Sequence, residues 1–291
     1  MNSNAIMNTI TELLGNMFSS IDSSIYSALD AISFIDTNII RSPYLEKLMG
    51  TSTVSGILMI ANSLLIGFLL YYTARYLLSN FGINQGQIQN PMQFIIRLIF
   101  IGICMNSSFF LCEQIISLNS FISSSIREVG SNFLGTDICF SNLINILDSI
   151  IYIEENGPNY FSIDGIIKAI ASIGFINLIF MYSIRYILIK VFILISPFAI
   201  LCNSTSSTLS FFKSWLKCFI SLLVMEIFSS LILIVMFSIE YSPIDVVSKL
   251  LFVGSVFALM KANNYVRELI GGISLDVQNS MYALRNFSKL R

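Results

Sequence analysis

Of the chain's 291 residues, 55% are hydrophobic and only 11% charged, where an ordinary soluble domain carries about 25% charged residues. Its 16 basic and 17 acidic residues nearly cancel, so the molecule as a whole has no field that would gather nucleic acid. There is no histidine, which removes the commonest general base and metal ligand. No catalytic constellation, cofactor motif or metal-ligand spacing replaces it, so an enzyme is not expected. Cys104, Cys112, Cys139, Cys202 and Cys218 form no CxxC pair and read as apolar fillers, with only Cys139 placed outside a membrane. Long apolar runs make the bilayer the relevant solvent. The expected class is therefore all-α: a polytopic integral membrane protein of about five transmembrane helices with amphipathic helices at both ends.

In residues 1–50, Ile6, Ile10, Leu13, Met17, Ile21, Ile25, Leu29 and Ile32 recur at spacings of three and four. This predicts an amphipathic helix lying on the membrane or against neighbouring subunits. Glu12, Asp22, Asp30 and Asp36 precede the first basic residue, Arg41, and a tail without positive charge can be translocated. No signal-peptide pattern is present, so the segment is expected to be retained. Pro43 and Gly50 punctuate the chain ahead of a membrane domain over 51–262.

The first predicted span, 54–78, ends in Tyr71, Tyr72, Arg75 and Tyr76, an interfacial belt. A polar connection leads to the second, 92–117, with Arg97 near its start. From 118 to 164 the sequence turns polar, and Arg127 stands alone against Glu128, Asp137, Asp148, Glu154, Glu155 and Asp164. An external loop is expected there, with a short surface helix around Ile144–Ile151 and a turn at Asn156, Gly157 and Pro158. The third apolar stretch, 165–201, has about 37 residues, a helix of roughly 55 Å against a bilayer core of about 30 Å. It is either two spans or one long span followed by a re-entrant or interfacial piece broken at Ser196 and Pro197. Arg185 and Lys190, which can snorkel to the cytoplasmic face, favour the second choice.

A Ser/Thr-rich loop then carries Lys213, Trp215 and Lys217 with no acidic residue, a cytoplasmic signature in which Trp215 is expected to be an interfacial anchor. Spans four and five follow at 218–239 and 244–260. The tail, 263–291, is a basic amphipathic arm containing Arg267, Arg285, Lys289 and Arg291, suited to anionic lipid or a cytosolic partner. Five spans put the N-terminus and the 118–164 loop outside. The 79–91 and 202–217 loops and the C-terminus then lie inside, where the positive-inside rule wants them.

Charges at membrane depth cost about 2.5–3.5 kcal/mol each on insertion scales. Glu226, about eight residues into the fourth span, is the sharpest case. Arg185 is its expected partner, as a structural ion pair or as part of a conduit. Asn62, Asn106 and Asn177 are candidates for hydrogen bonds between helices or for pore lining. No Walker loop is present, so an ATP motor is not expected.

The stretch from Arg185 to Lys217 joins a long apolar helix with a basic residue in its middle to Ile195-Ser196-Pro197-Phe198-Ala199-Ile200. A Ser/Thr-rich loop then leads into Phe211-Phe212-Lys213-Ser214-Trp215-Leu216-Lys217. It resembles the TrbL-type polytopic subunit of type IV secretion and conjugation machines, with Arg185, Lys190, Pro197 and Trp215 at family-like positions. The resemblance implies a channel-forming or scaffold subunit of the bacterial cytoplasmic membrane, without cofactor or catalytic residues. It also implies a homo-oligomeric ring that works with assembly ATPases and membrane scaffold proteins to pass DNA, relaxase–DNA or protein. The alternative is a small-solute transporter or permease subunit, or a holin-like pore. A transporter built from inverted repeats would break matching helices in two halves, whereas here one break is expected, at Pro197.

Overall fold

The computed structural model describes residues 29–39, 41–50, 56–80, 91–143, 146, 163–204, 208–239, 241 and 245–271. Among them no strand occurs. Among the described residues, seven α-helices with both ends defined run in order: α1 (Pro43–Met49), α2 (Ile57–Asn80), α3 (Pro91–Asn106), α4 (Ser108–Leu134), α5 (Ile163–Leu201), α6 (Leu209–Ser238) and α7 (Val246–Ile270). Five of these contain stretches long and apolar enough to cross a bilayer: Ile57–Leu78, Ser108–Leu134, Ala169–Ser204, Leu209–Ser238 and Val246–Ile270. Helix is the form such sequences must take in lipid, because every backbone polar group is then satisfied within its own segment. Most of the expected N-terminal helix, the surface helix around 144–151, the 156–158 turn and the tail beyond Gly271 fall outside the described residues.

The helices fall into two compact units. In the second unit, Asp36–Leu118 and Ile187–Ile220, α1 begins at Pro43 and stops at Gly50, whose φ of 86° is the left-handed value that glycine reaches without strain. Helices α2 and α3 form an antiparallel hairpin. Tyr72 stacks on Phe94 with ring centroids 3.6 Å apart, and Asn62 faces Asn106 at the other end. A small aliphatic core of Ala61, Ile101, Met105, Ile200 and Leu201 is closed by Leu65, Phe68, Cys104, Phe198 and Phe212. Arg41 pairs with Glu113 at 3.0 Å near the surface.

The first unit takes residues up to Ile35, Asn119–Tyr186 and everything from Ser221 on. Here α4 and α6 run parallel, since Asn119 meets Glu226 and Ser123 meets Ser230. Helices α5 and α6 run antiparallel, Tyr182 meeting Ser229 and Arg185 meeting Glu226. A close approach on α4 is at Gly130, where a Cβ would lie 2.7 Å from Ile234 and would collide with Ile138. Helix α7 is capped by Asp245, whose carboxylate accepts from the Val247 amide at 3.0 Å. It packs Phe252 on Phe175 of α5, ring centroids 6.4 Å apart.

Four sequence expectations change. The second predicted span is interrupted at Ser107, and helix resumes through Leu134, so 118–134 is helix rather than external loop. Backbone bonds from Ser107 to Ile103 (3.0 Å) and from Leu111 to Ser107 (2.9 Å) carry the ladder past the interruption. Residues 118–134 are polar by composition, but only part of that polarity faces outward: Ser124, Glu128 and Asn132 are exposed. Asn119 and Ser123 are buried while Phe121 is 69% and Phe133 87% exposed, the inside-out arrangement of a helix meant for lipid. Secondly, 165–201 is one helix without a break at Pro197. The proline leaves the Ile193 carbonyl without its usual donor, and the Ser196 hydroxyl donates to it at 2.7 Å. The 39 residues of α5, Ile163–Leu201, reach about 58 Å at 1.5 Å per residue, nearly twice a bilayer core. Thirdly, the fifth apolar helix continues to Ile270 rather than stopping at 260, so the first turns of the expected tail belong to it. Lastly, residues 29–35 pack into a helical core instead of lying on a surface, with Leu29 and Ile35 buried.

Candidate functional site

The polar centre of the first unit is built from α4, α5, α6 and residues 29–35. Arg185, halfway along α5, is completely buried. Its Nη2 donates to Glu226 Oε2 at 3.3 Å, its Nε to the Leu222 carbonyl at 2.6 Å and its Nη1 to the Ser33 carbonyl at 2.9 Å. Leu222 lies one turn before Glu226 on α6, so the guanidinium grips that helix at two successive turns. Ser33 ends a helical turn, and its carbonyl would otherwise be one of the orphan acceptors found at any helix C-terminus.

Glu226, equally buried, also accepts from Asn119 Nδ2 at 3.1 Å. A layer of hydroxyls continues away from the pair. Ser123 and Ser230 are 2.9 Å apart, Ser230 also donates to the Glu226 carbonyl at 3.0 Å, and Tyr182 bonds Ser229. Taking two charges out of water costs several kcal/mol per ion, and Coulomb attraction repays that only when the remaining hydrogen-bonding capacity is also met. Here neighbours from three directions meet it.

A second basic residue stands beside this layer. Arg127, on α4, lays its guanidinium 3.6 Å from the centre of the Phe34 ring, a cation–π contact. Phe34 in turn sits 5.8 Å from Phe140, and Phe140 5.9 Å from Tyr182. The Asp30 carboxylate accepts from the Phe140 amide (2.7 Å), the Ser141 amide (3.1 Å) and the Ser141 hydroxyl (2.7 Å). Burial pushes the neighbouring Cys139 thiol up, against opposing donation from the Asn142 backbone. Its reactive thiolate is thereby disfavoured.

The other candidates divide between the units. Asn62 and Asn106 exchange amide hydrogen bonds of 3.0 and 3.1 Å across the α2–α3 hairpin, in the second unit. Asn177, half-buried on α5 in the first, joins neither this pair nor the Arg185 cluster. Lys190 is half-buried and Pro197 buried on α5. Trp215 differs most from its expected role. It is buried, its indole N–H donates to the Phe192 carbonyl at 3.1 Å, and its ring lies parallel to Phe219 at 5.5 Å. Both polar and apolar ends are used inside the protein, so it does not serve as a headgroup anchor. The expected pair Arg185 and Glu226 is brought together by the fold. Asn119, Ser123, Asp30, Arg127 and the Ser33 carbonyl were not anticipated, although the matched four-residue spacing of Asn119 and Ser123 with Glu226 and Ser230 was readable. Among the described residues, no group of three or more Cys, Asp or Glu side chains is placed to hold a metal ion.

Fold and site together define an all-α polytopic membrane protein with a polar centre closed on itself. Comparison with known proteins finds no match to this chain among protein-family models, curated proteins or solved structures.

Proposed function

We propose that the chain is a channel-forming or scaffold subunit of a type IV secretion or conjugative DNA-transfer apparatus. It sits in the bacterial cytoplasmic membrane, N-terminus outside and C-terminus inside, and assembles as a homo-oligomeric ring. Assembly ATPases, membrane scaffold subunits and lipids are its neighbours, and DNA or relaxase–DNA is the cargo. The TrbL-like stretch from Arg185 to Lys217 supports the choice of machine, and the distribution of basic loops supports the orientation.

The observation that carries the reading is the state of the buried charges. Arg185 and Glu226 neutralise each other and spend their remaining capacity on carbonyls and an amide of the same unit. A permease would keep such groups available to its solute at the repeat interface. A subunit that uses them to fix its own helices leaves the conduit to be formed between copies. Native mass measurement of the protein extracted in mild detergent tests this. A closed ring of several copies is expected, and a monomer at every detergent and lipid condition would contradict it.

A further inference from the structure

Residues 29–35 are attached at three levels by three kinds of contact. Asp30 takes three hydrogen bonds from Phe140 and Ser141. Phe34 is clasped between the Arg127 guanidinium and the Phe140 ring. The Ser33 carbonyl holds one arm of Arg185, the partner of Glu226. Every one of these receptor groups lies on α4, on α5 or just after α4, and Arg185 among them bonds Glu226 of the Asn119, Ser123, Glu226 and Ser230 layer directly. The segment is short, and beside the buried Leu29 and Ile35 it is held by these polar contacts.

We propose that residues 29–35 form a latch that seals the polar layer between α4, α5 and α6 from water, and that releasing Asp30 opens that layer. With the latch seated, Arg185 and Glu226 have partners for their donors and acceptors and no need of solvent. With it removed, Nη1 of Arg185 loses its acceptor, and a buried guanidinium left short of a partner draws in water. Latch seating and the ion pair are therefore thermodynamically linked: each stabilises the other by the same free energy. Asp30 is the entry point because it alone holds three charge-assisted bonds at once, and because it grips residues 140–141 rather than the ion pair itself. The inference goes beyond the proposed function and does not depend on it, since a latch over a polar core serves a scaffold, a ring subunit or a permease alike.

Cysteine reporters test it in a full-length protein whose five native cysteines are replaced. Ser33→Cys is a near-isosteric choice, because the Ser33 hydroxyl is buried and makes no hydrogen bond. Ser123→Cys reports water at the level of Glu226. In membrane vesicles carrying the parent latch, a water-soluble maleimide should label both positions far more slowly than in the denatured protein. Asp30→Ala should raise labelling of both by about tenfold or more, the expected consequence of losing charge-assisted hydrogen bonds. If Ser33→Cys reacts at the denatured rate in the otherwise unaltered folded protein, the segment is not seated and the proposal fails, whatever Asp30→Ala does. It fails as well if Asp30→Ala leaves a folded protein with both rates unchanged. Should that variant not fold, Asp30→Asn, which keeps one acceptor oxygen, takes its place with an intermediate rise expected and an unchanged rate again fatal.

Discussion

The two units hold their polar groups in opposite places. The first centres on charge: Arg185, Glu226, Asn119, Ser123 and Ser230 are buried, while the flanks of its helices carry exposed Phe, Val and Leu. The second centres on Ala61, Ile101, Met105, Ile200 and Leu201; its side-chain pairs, Arg41 with Glu113 and Asn62 with Asn106, lie towards the outside, and its interior polar contacts, from Trp215 and Ser196, go to backbone carbonyls and carry no charge. In lipid, apolar side chains gain little by exchanging tails for one another, so an aliphatic core specifies helix neighbours weakly. A hydrogen-bonded charge pair specifies register sharply, because a slip by one turn strands both charges. Damage to polar contacts should therefore cost far more in the first unit than in the second.

The largest effect is expected from Glu226→Ala, which leaves Arg185 buried and unpaired at a cost of about 3–5 kcal/mol, read as loss of folded protein in detergent or a large fall in the denaturation midpoint. Exchanging the two charges should not rescue it. Arg185 gives two of its three bonds to the carbonyls of Leu222 and Ser33, and a glutamate at that position has nothing to donate. A charge-exchange variant that recovers full stability would show that the carbonyl bonds contribute nothing.

Next is Gly130→Val. The added carbons would enter the space held by Ile138 and Ile234, and overpacking of this kind costs about 1–3 kcal/mol. A thermal midpoint equal to the parent's would mean that α4 and α6 are not in close contact there.

The pairing of Arg185 with Glu226 was readable because two charges in long apolar runs have few places to go. The apolar extents of α2 and α5 were readable for the same reason, whereas α6 starts at Leu209, nine residues before the expected 218, so that Lys213, Trp215 and Lys217 lie on the helix and not in a loop. The helical state of 118–134 was not, because average polarity cannot distinguish a loop from a helix that buries some of its polar residues against its neighbours. Asn119, Ser123 and Ser131 look alike either way. Pro197 misled in the opposite direction. Its breaking power is real, but Ser196 supplies the missing hydrogen bond from one residue away. Trp215 carried an interfacial signal by composition, between two lysines, that the Phe192 carbonyl and the Phe219 ring override. Asp30 could not have been assigned from sequence at all, since its partners lie 110 and 111 residues away.

In the second unit the effects shrink. Trp215→Phe keeps the aromatic stack and loses the bond to Phe192, a change of about 1 kcal/mol. Asn62→Leu should cost about 0.6 kcal/mol, the usual worth of a hydrogen bond between membrane helices. Both are read as shifts in unfolding midpoint under one detergent condition. A loss from Asn62→Leu as large as that from Glu226→Ala would erase the contrast between the units.

The contrast rests on Arg185 and Glu226 acting as one structural element, and a double-mutant cycle of Arg185→Met and Glu226→Met measures that directly. The two single variants should each be strongly destabilised and the double variant much less so than their sum, with a coupling of about 2 kcal/mol or more. Additive losses would contradict the account, for they would mean that each charge is held by its surroundings and neither depends on the other.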